Sequence, residues 1–263
     1  MNIAGLRLTK RKRFIIASAA ITLATFIFPS MLKLYGPIVI AVYAATAYLV
    51  SIFALKEDIS GIEYVTLFIL PVLFTVGAGL FISIVPERKI YRWPLYAAVP
   101  ISIYSIYLTE NIFNVAGIRT IQLLRMANVF CYIITLVTSV FLFWFTLSLR
   151  LQIIENVLLI CTIVTLLTLQ FLWSFELTQK FTLKTLLYTA VSILVFAQIS
   201  IVINFYAIST IYATLFLVSI YYVLLGLVHH YNEKKLTRKV AIEYTLAAFI
   251  VFVFMILSVQ WQG

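Results

Sequence analysis

The chain has 263 residues, 64% of them hydrophobic and only 11% charged, with a net charge of +10 and a mean hydropathy of +1.11. Water-soluble domains run at about 45–50% apolar and about 25% charged, so a soluble core is excluded. A basic balance in a soluble protein would point to nucleic acid, but here the basic residues sit at the ends of long apolar runs, and that partner is excluded too.

Residues 1–13 carry Arg7, Lys10, Arg11, Lys12 and Arg13, a cytoplasmic tail whose cations each gain about 1 kcal/mol from anionic lipid headgroups. Charge-free stretches follow at 14–32, 34–55, 64–86 and 93–109. About 20 apolar residues, at about 1.5 Å rise each, cross the roughly 30 Å of a bilayer's hydrocarbon, so each stretch reads as one span. The first follows a basic region as a signal sequence does. It is long enough to span, however, and no small-x-small cleavage site follows the apolar region, so it reads as a retained helix. Pro71 and Pro100 fall inside the third and fourth spans, where proline removes a backbone donor and bends a helix. Gly77 and Gly79 are expected to add flexibility to the third.

Residues 110–125 break the apolar monotony. At 100° per residue, Glu110, Asn111, Asn114, Gln122 and Arg125 share one sector, with Arg119 at its edge, while Ile112, Phe113, Ala116, Leu123 and Leu124 lie opposite. This sorting predicts an amphipathic helix lying in the cytoplasmic interface. Ile118 and Ile121 intrude on the polar sector, which predicts that this face is covered, so Glu110, Asn114, Arg119 and Arg125 form the candidate polar cleft. Beyond it, charge-free stretches run at 126–149, 156–175, 185–228 and 244–263. The long one needs two crossings, with a turn near Asn204–Tyr206. The expectation is therefore one all-α membrane domain over 1–263, with four proline-bent spans in 14–109, the interfacial helix, and five spans in 126–263, about nine in all. Strands are excluded because these runs are apolar on every side, and in lipid a helix satisfies its own backbone.

The motifs of membrane enzymes are missing. Asp58 is the single aspartate, so paired-aspartate metal chemistry lacks its ligands, and there is no HExxH, GxxxxGK[ST] or GxSxG pattern. His229 and His230 are adjacent, about 100° apart on a helix, and read as a polar cap at the end of the eighth span. Cys131 and Cys161 lie at different depths and read as unlinked thiols. Glu176 can pair with Lys180 and Glu243 with Lys239 at i,i+4. No charged residue sits near a span centre, which weighs against proton-coupled transport. Gln198, the most central polar side chain, reads as glue between helices, and Thr162, Thr165 and Thr168 as bonded to their own helix carbonyls. No cofactor or metal is expected.

Three functions fit. A non-enzymatic partner subunit or scaffold, recognising another membrane protein, comes first. A carrier of a small solute or amphiphile comes second, and an enzyme acting on a lipid headgroup at the cytoplasmic interface third. The expected location is the cell membrane. With the amino terminus cytoplasmic, fourteen of the nineteen Lys and Arg fall inside, as the positive-inside rule asks. Trp93, Trp144, Trp173 and Trp261 fall near span ends, at headgroup level. The segment 86–92, with Arg88, Lys89 and Arg92, is the exception to the charge rule. A reporter active only in the cytoplasm, fused after Gly263, is therefore expected to stay silent. Strong activity there would mean an even number of crossings, with 93–109 the first span to be struck out.

Overall fold

The computed structural model describes residues 9–56, 59, 61–116, 123–206, 208–232 and 234–257, and those residues are all-α. The helices are α1 Lys10–Tyr35, α2 Ile38–Leu55, α3 Glu63–Ile84, α4 Lys89–Ala116, α5 Leu124–Ser148, α6 Ile153–Glu176, α7 Leu183–Asn204, α8 Thr210–Asn232 and α9 Arg238–Leu257. The expected turn near Asn204–Tyr206 separates α7 from α8. Eight of the nine are long and apolar enough to cross a membrane, so the protein is a multi-pass integral membrane protein. The exception is α4, which carries Lys89, Arg92, Glu110, two internal prolines and several tyrosines. At 28 residues and about 1.5 Å rise each, it is long enough to span but lacks the continuous apolar stretch of the other eight.

The expected interfacial helix at 110–125 is corrected. Residues 110–116 are the last two turns of α4, and Leu124 and Arg125 open α5; residues 117–122 lie outside the described set. The reason is continuity of register. Val99, Ile103, Ile106, Tyr107, Glu110, Phe113 and Asn114 are buried along α4, a stripe at three- and four-residue spacing. Nothing before Gly117 interrupts it, so Glu110 and Asn114 of that polar sector belong to the inner face of the fourth helix carried past the apolar run.

The chain packs as two compact units, residues 1–127 and 128–263. In the first, α3 is the core element, with 72% of its apolar window buried among α1, α2 and α4. Its Gly79 is a packing residue rather than the source of flexibility expected. A Cβ there would meet Tyr43 Cε1 at 2.9 Å and Phe28 Cδ1 at 3.0 Å. Those rings stack at 4.4 Å, and Tyr43 is held further by a 2.5 Å hydroxyl contact with Thr25. At the opposite end of the same unit, Tyr107 Oη lies 3.1 Å from Ser51 Oγ and its ring lies 6.0 Å from that of Phe14.

The basic segment 86–92 has local work. Glu87 pairs with Lys33 and lies 3.8 Å from Arg92, whose guanidinium donates twice to Val85 O, at 3.1 and 2.8 Å, closing the end of α3. Lys33, by hydrogen bond and charge, holds the Glu87 carboxyl below its usual range, with Arg92 adding to it.

In the second unit α6 and α7 pack along each other, and Tyr221 of α8 reaches Thr168 Oγ1 at 3.2 Å between the rings of Phe143 and Phe196. Thr168 thus binds across helices, whereas Thr162 and Thr165 bond their own carbonyls as expected. Glu176 does not pair with Lys180. It accepts from the hydroxyls of Thr182 and Thr185 at 2.8–2.9 Å, which fastens the turn into α7. Lys239 and Glu243 likewise form no ion pair. The helix α9 is the least enclosed, 11% of its window being buried, and it meets α8 where Tyr244 lies over Gly226. A Cβ at Gly226 would sit 2.2 Å from Tyr244 Cε1.

Gly79→Ala is expected to destabilise the first unit by about 1–3 kcal/mol, the usual cost of overpacking, because stacked and hydrogen-bonded rings cannot swing aside. Gly226→Ala should instead free α9, whose displacement costs little elsewhere. Unfolding in mixed micelles measures the first, and cysteine labelling along α9 the second.

Candidate functional site

The predicted cleft residues separate. Glu110 is fully buried and Asn114 is 3% exposed, one turn apart on the inner face of α4. Arg125 is exposed in the first turn of α5, and Arg119 lies outside the described residues. Antiparallel packing brings the start of α1, the end of α2, the start of α3 and the end of α4 to one end of the first unit. Arg13, the buried Glu63, Glu110 and Asn114 therefore share that end, and each is engaged in a polar or electrostatic contact. Burying a charge is tolerable only when it is paired and hydrogen-bonded, so this polar end fits a lock joining four helices.

The second unit holds polar features that the sequence reading missed or undervalued. His229, only 8% exposed, is more than a cap: its ring stacks 5.8 Å from Tyr132 and stands 5.5 Å edge-on to Phe175. Its neighbour His230 places Nδ1 3.0 Å from Gly226 O. Cys131 and Cys161 are free thiols, as expected, and Cys131 donates to the fully buried Gln170 at 3.7 Å. Trp173 is buried, with its indole N–H on Thr178 O at 3.0 Å, so it marks a helix end without facing lipid. Gln198, expected between helices, is exposed on the wall of a cavity. Among the described residues no group of three or more His, Cys, Asp or Glu is placed to hold a metal.

That cavity is the strongest candidate site. At the end of the second unit where α7 finishes, α8 starts and α9 finishes, a space of 360 Å³ is bounded by Gln198, Ile199, Val202, Phe216, Phe252, Met255 and Ile256. Gln198 apart, these walls are apolar. Through Ile203, Tyr206 and Ile208, which line both, it adjoins a second space of 790 Å³ of opposite character. The second is lined by Arg150, Asn156, Asn204, Ser209 and Thr210, with Leu147 and Leu151. Ordinary helix chemistry builds it. Arg150 has a left-handed φ of +49° in the turn between α5 and α6, α6 starts at Ile153, and the last turn of α7 ends on Asn204.

Signals for this site were faint. Arg150 and Asn156 are 48 or more positions before Asn204 in the chain, and each alone looks like a span-end polar residue. Only the predicted turn at Asn204–Tyr206 touched the right place.

Replacing Glu110 by Leu is expected to destabilise the first unit by about 1–3 kcal/mol, since its partners would be buried without it. Arg125→Gln, at an exposed position, should stay within about 0.5 kcal/mol. Denaturation of the two variants side by side checks this.

The profile of a family described as "Protein of unknown function (DUF5656)" matches residues 15–258. No curated protein and no solved structure matches the chain.

Proposed function

We propose that this chain, which belongs to the DUF5656 family of proteins of unknown function, binds and passes on an amphiphilic molecule at the α7–α8–α9 end of its second unit. One observation carries this reading: a mostly apolar cavity of 360 Å³ and a polar one of 790 Å³ share Ile203, Tyr206 and Ile208. Binding sites in general pair apolar walls with a few placed polar groups, and a molecule with a chain and a headgroup satisfies both halves at once. A free polar solute would leave the apolar half without a partner, and a pure hydrocarbon would leave Arg150 and Asn156 unused. This supports the carrier reading over the enzyme reading, because among the described residues that line the two cavities no His, Cys, Asp or Glu stands beside the Ser209 and Thr210 hydroxyls to activate them. The partner-subunit reading keeps one supporting observation, the scarcely enclosed α9, and ranks second.

The test uses the full chain in lipid nanodiscs with a fatty-chain probe carrying a photoreactive group at its tail. Labelling is expected to concentrate on the residues of α7, α8 and α9 around Val202, Phe216 and Met255, and to fall when Val202→Trp fills the cavity. Even labelling of all exposed helix faces, unchanged in V202W, would mean that bulk lipid alone was sampled, and the reading would fail.

A further inference from the structure

The polar cavity also holds information about the headgroup, in the direction of its hydrogen bonds. Asn204 Nδ2 donates to the backbone carbonyl of Ser200 at 2.6 Å. A carbonyl oxygen can only accept, so the amide of Asn204 is oriented with its own Oδ1 away from Ser200. That oxygen accepts from Asn156 Nδ2 at 3.0 Å, and Asn156 is oriented in turn. The chain of bonds ends on Asn156 Oδ1, a buried acceptor with no hydrogen-bond partner, in a residue 3% exposed that lines the polar cavity. A buried acceptor left without a donor costs about 1–3 kcal/mol, so the position calls for a hydroxyl or N–H.

A second feature calls for negative charge. Arg150 is the cation on the cavity wall, and the first residues of the 23-residue α8, from Ser209 onward, line the same space. The first N–H groups of a helix have no partner within it, and they carry the positive end of its dipole. The first turn of α8 contains no acid to neutralise that end. Glu155, in the first turn of α6, is exposed and does not line the cavity. Arg150 with a helix start is suited to a phosphate, and Asn156 Oδ1 to a hydroxyl beside it.

Resting on the amphiphile reading, we propose that the ligand is a membrane lipid whose headgroup is a hydroxylated phosphate ester, such as a glycerol phosphodiester. Its phosphate sits between Arg150 and the start of α8, a headgroup hydroxyl donates to Asn156 Oδ1, and an acyl chain fills the apolar cavity beyond Tyr206.

The experiment measures competition with a fluorescent-chain lipid on the purified full chain in zwitterionic micelles. Four competitors separate the contributions: short-chain phosphatidylglycerol, phosphatidylmethanol (which keeps the anion and lacks the hydroxyls), diacylglycerol (which lacks the phosphate) and free glycerol phosphate. Phosphatidylglycerol is expected to bind about fivefold more tightly than phosphatidylmethanol, as one neutral hydrogen bond allows. Phosphatidylmethanol should in turn exceed diacylglycerol by about tenfold through its charge-assisted contacts, and glycerol phosphate should not compete. Arg150→Gln should weaken both anionic lipids alike and leave diacylglycerol unchanged. Asn156→Ala should abolish the preference for phosphatidylglycerol over phosphatidylmethanol, and the preference of the native protein stands as evidence even where that variant does not fold. Equal binding of the three lipids would overturn the headgroup assignment while leaving the amphiphile reading in place. Binding of none would overturn both. Strong competition by glycerol phosphate alone would mean a soluble phosphate ester, and the lipid assignment would fall.

Discussion

Hydrocarbon supplies no water to complete a hydrogen bond, and most of this structure follows from that. Each backbone group inside the bilayer must find its partner within the helix, and the small hydroxyls do the same. Ser18, Thr25, Ser51, Thr75, Thr138, Thr146 and Thr189 all donate to a carbonyl one turn earlier in their own helix. Polar residues scattered along the spans are thereby largely satisfied within their own helix. Helix association is left to close packing, as at Gly79 beneath the Phe28–Tyr43 stack and at Gly226 beneath Tyr244. A few tertiary polar contacts remain, such as Tyr107 with Ser51 and Tyr221 with Thr168.

Polar groups that cannot be satisfied this way collect at helix ends, and the ends differ in kind. At one end of the first unit the longer side chains of Arg13, Glu63, Glu110 and Asn114 are each engaged in a polar or electrostatic contact, although Arg13 Nε, Glu110 Oε2 and Asn114 Oδ1 make no hydrogen bond there. The turn between α6 and α7 is complete, with Glu176 taking both threonine hydroxyls. The end of the second unit around Arg150 and Asn156 is different. It contains a cavity, a left-handed arginine and an amide oxygen that accepts from no protein group. A buried acceptor atom without a protein donor, beside an apolar cavity, is what separates a binding site from a fastening.

The family match extends over nearly the whole chain, residues 15–258, so it covers residues of both units and those of the candidate site. Among the described residues no group of three or more His, Cys, Asp or Glu is placed to hold a metal, and the two histidines are packed among Tyr132, Phe175 and Tyr244.

The all-helical membrane class, eight of the span positions and the α7–α8 turn were determined by the sequence alone. Crossing a bilayer imposes a length and an absence of charge on contiguous residues, and contiguous properties can be read along a chain. Unlinked cysteines and the back-bonded Thr162 and Thr165 were legible for the same reason, since depth and a one-turn hydrogen bond are local. Other properties depended on the packing. Glu110 and Asn114 were recognised as covered polar residues, but they belong to the inner face of α4, because a helical wheel gives angles and not where the helix began. Gly79 looked flexible until Phe28 and Tyr43 stood over it, and Gln198 looked buried until its helix face turned outward to the cavity. The candidate site itself was decided wholly by tertiary structure. Arg150, Asn156, Asn204 and Thr210 come from two helix junctions, α5–α6 and α7–α8, and acquire a common purpose only where those helix ends meet. The direction of an amide, which leaves Asn156 Oδ1 as the acceptor, is set by a carbonyl 44 residues further along the chain.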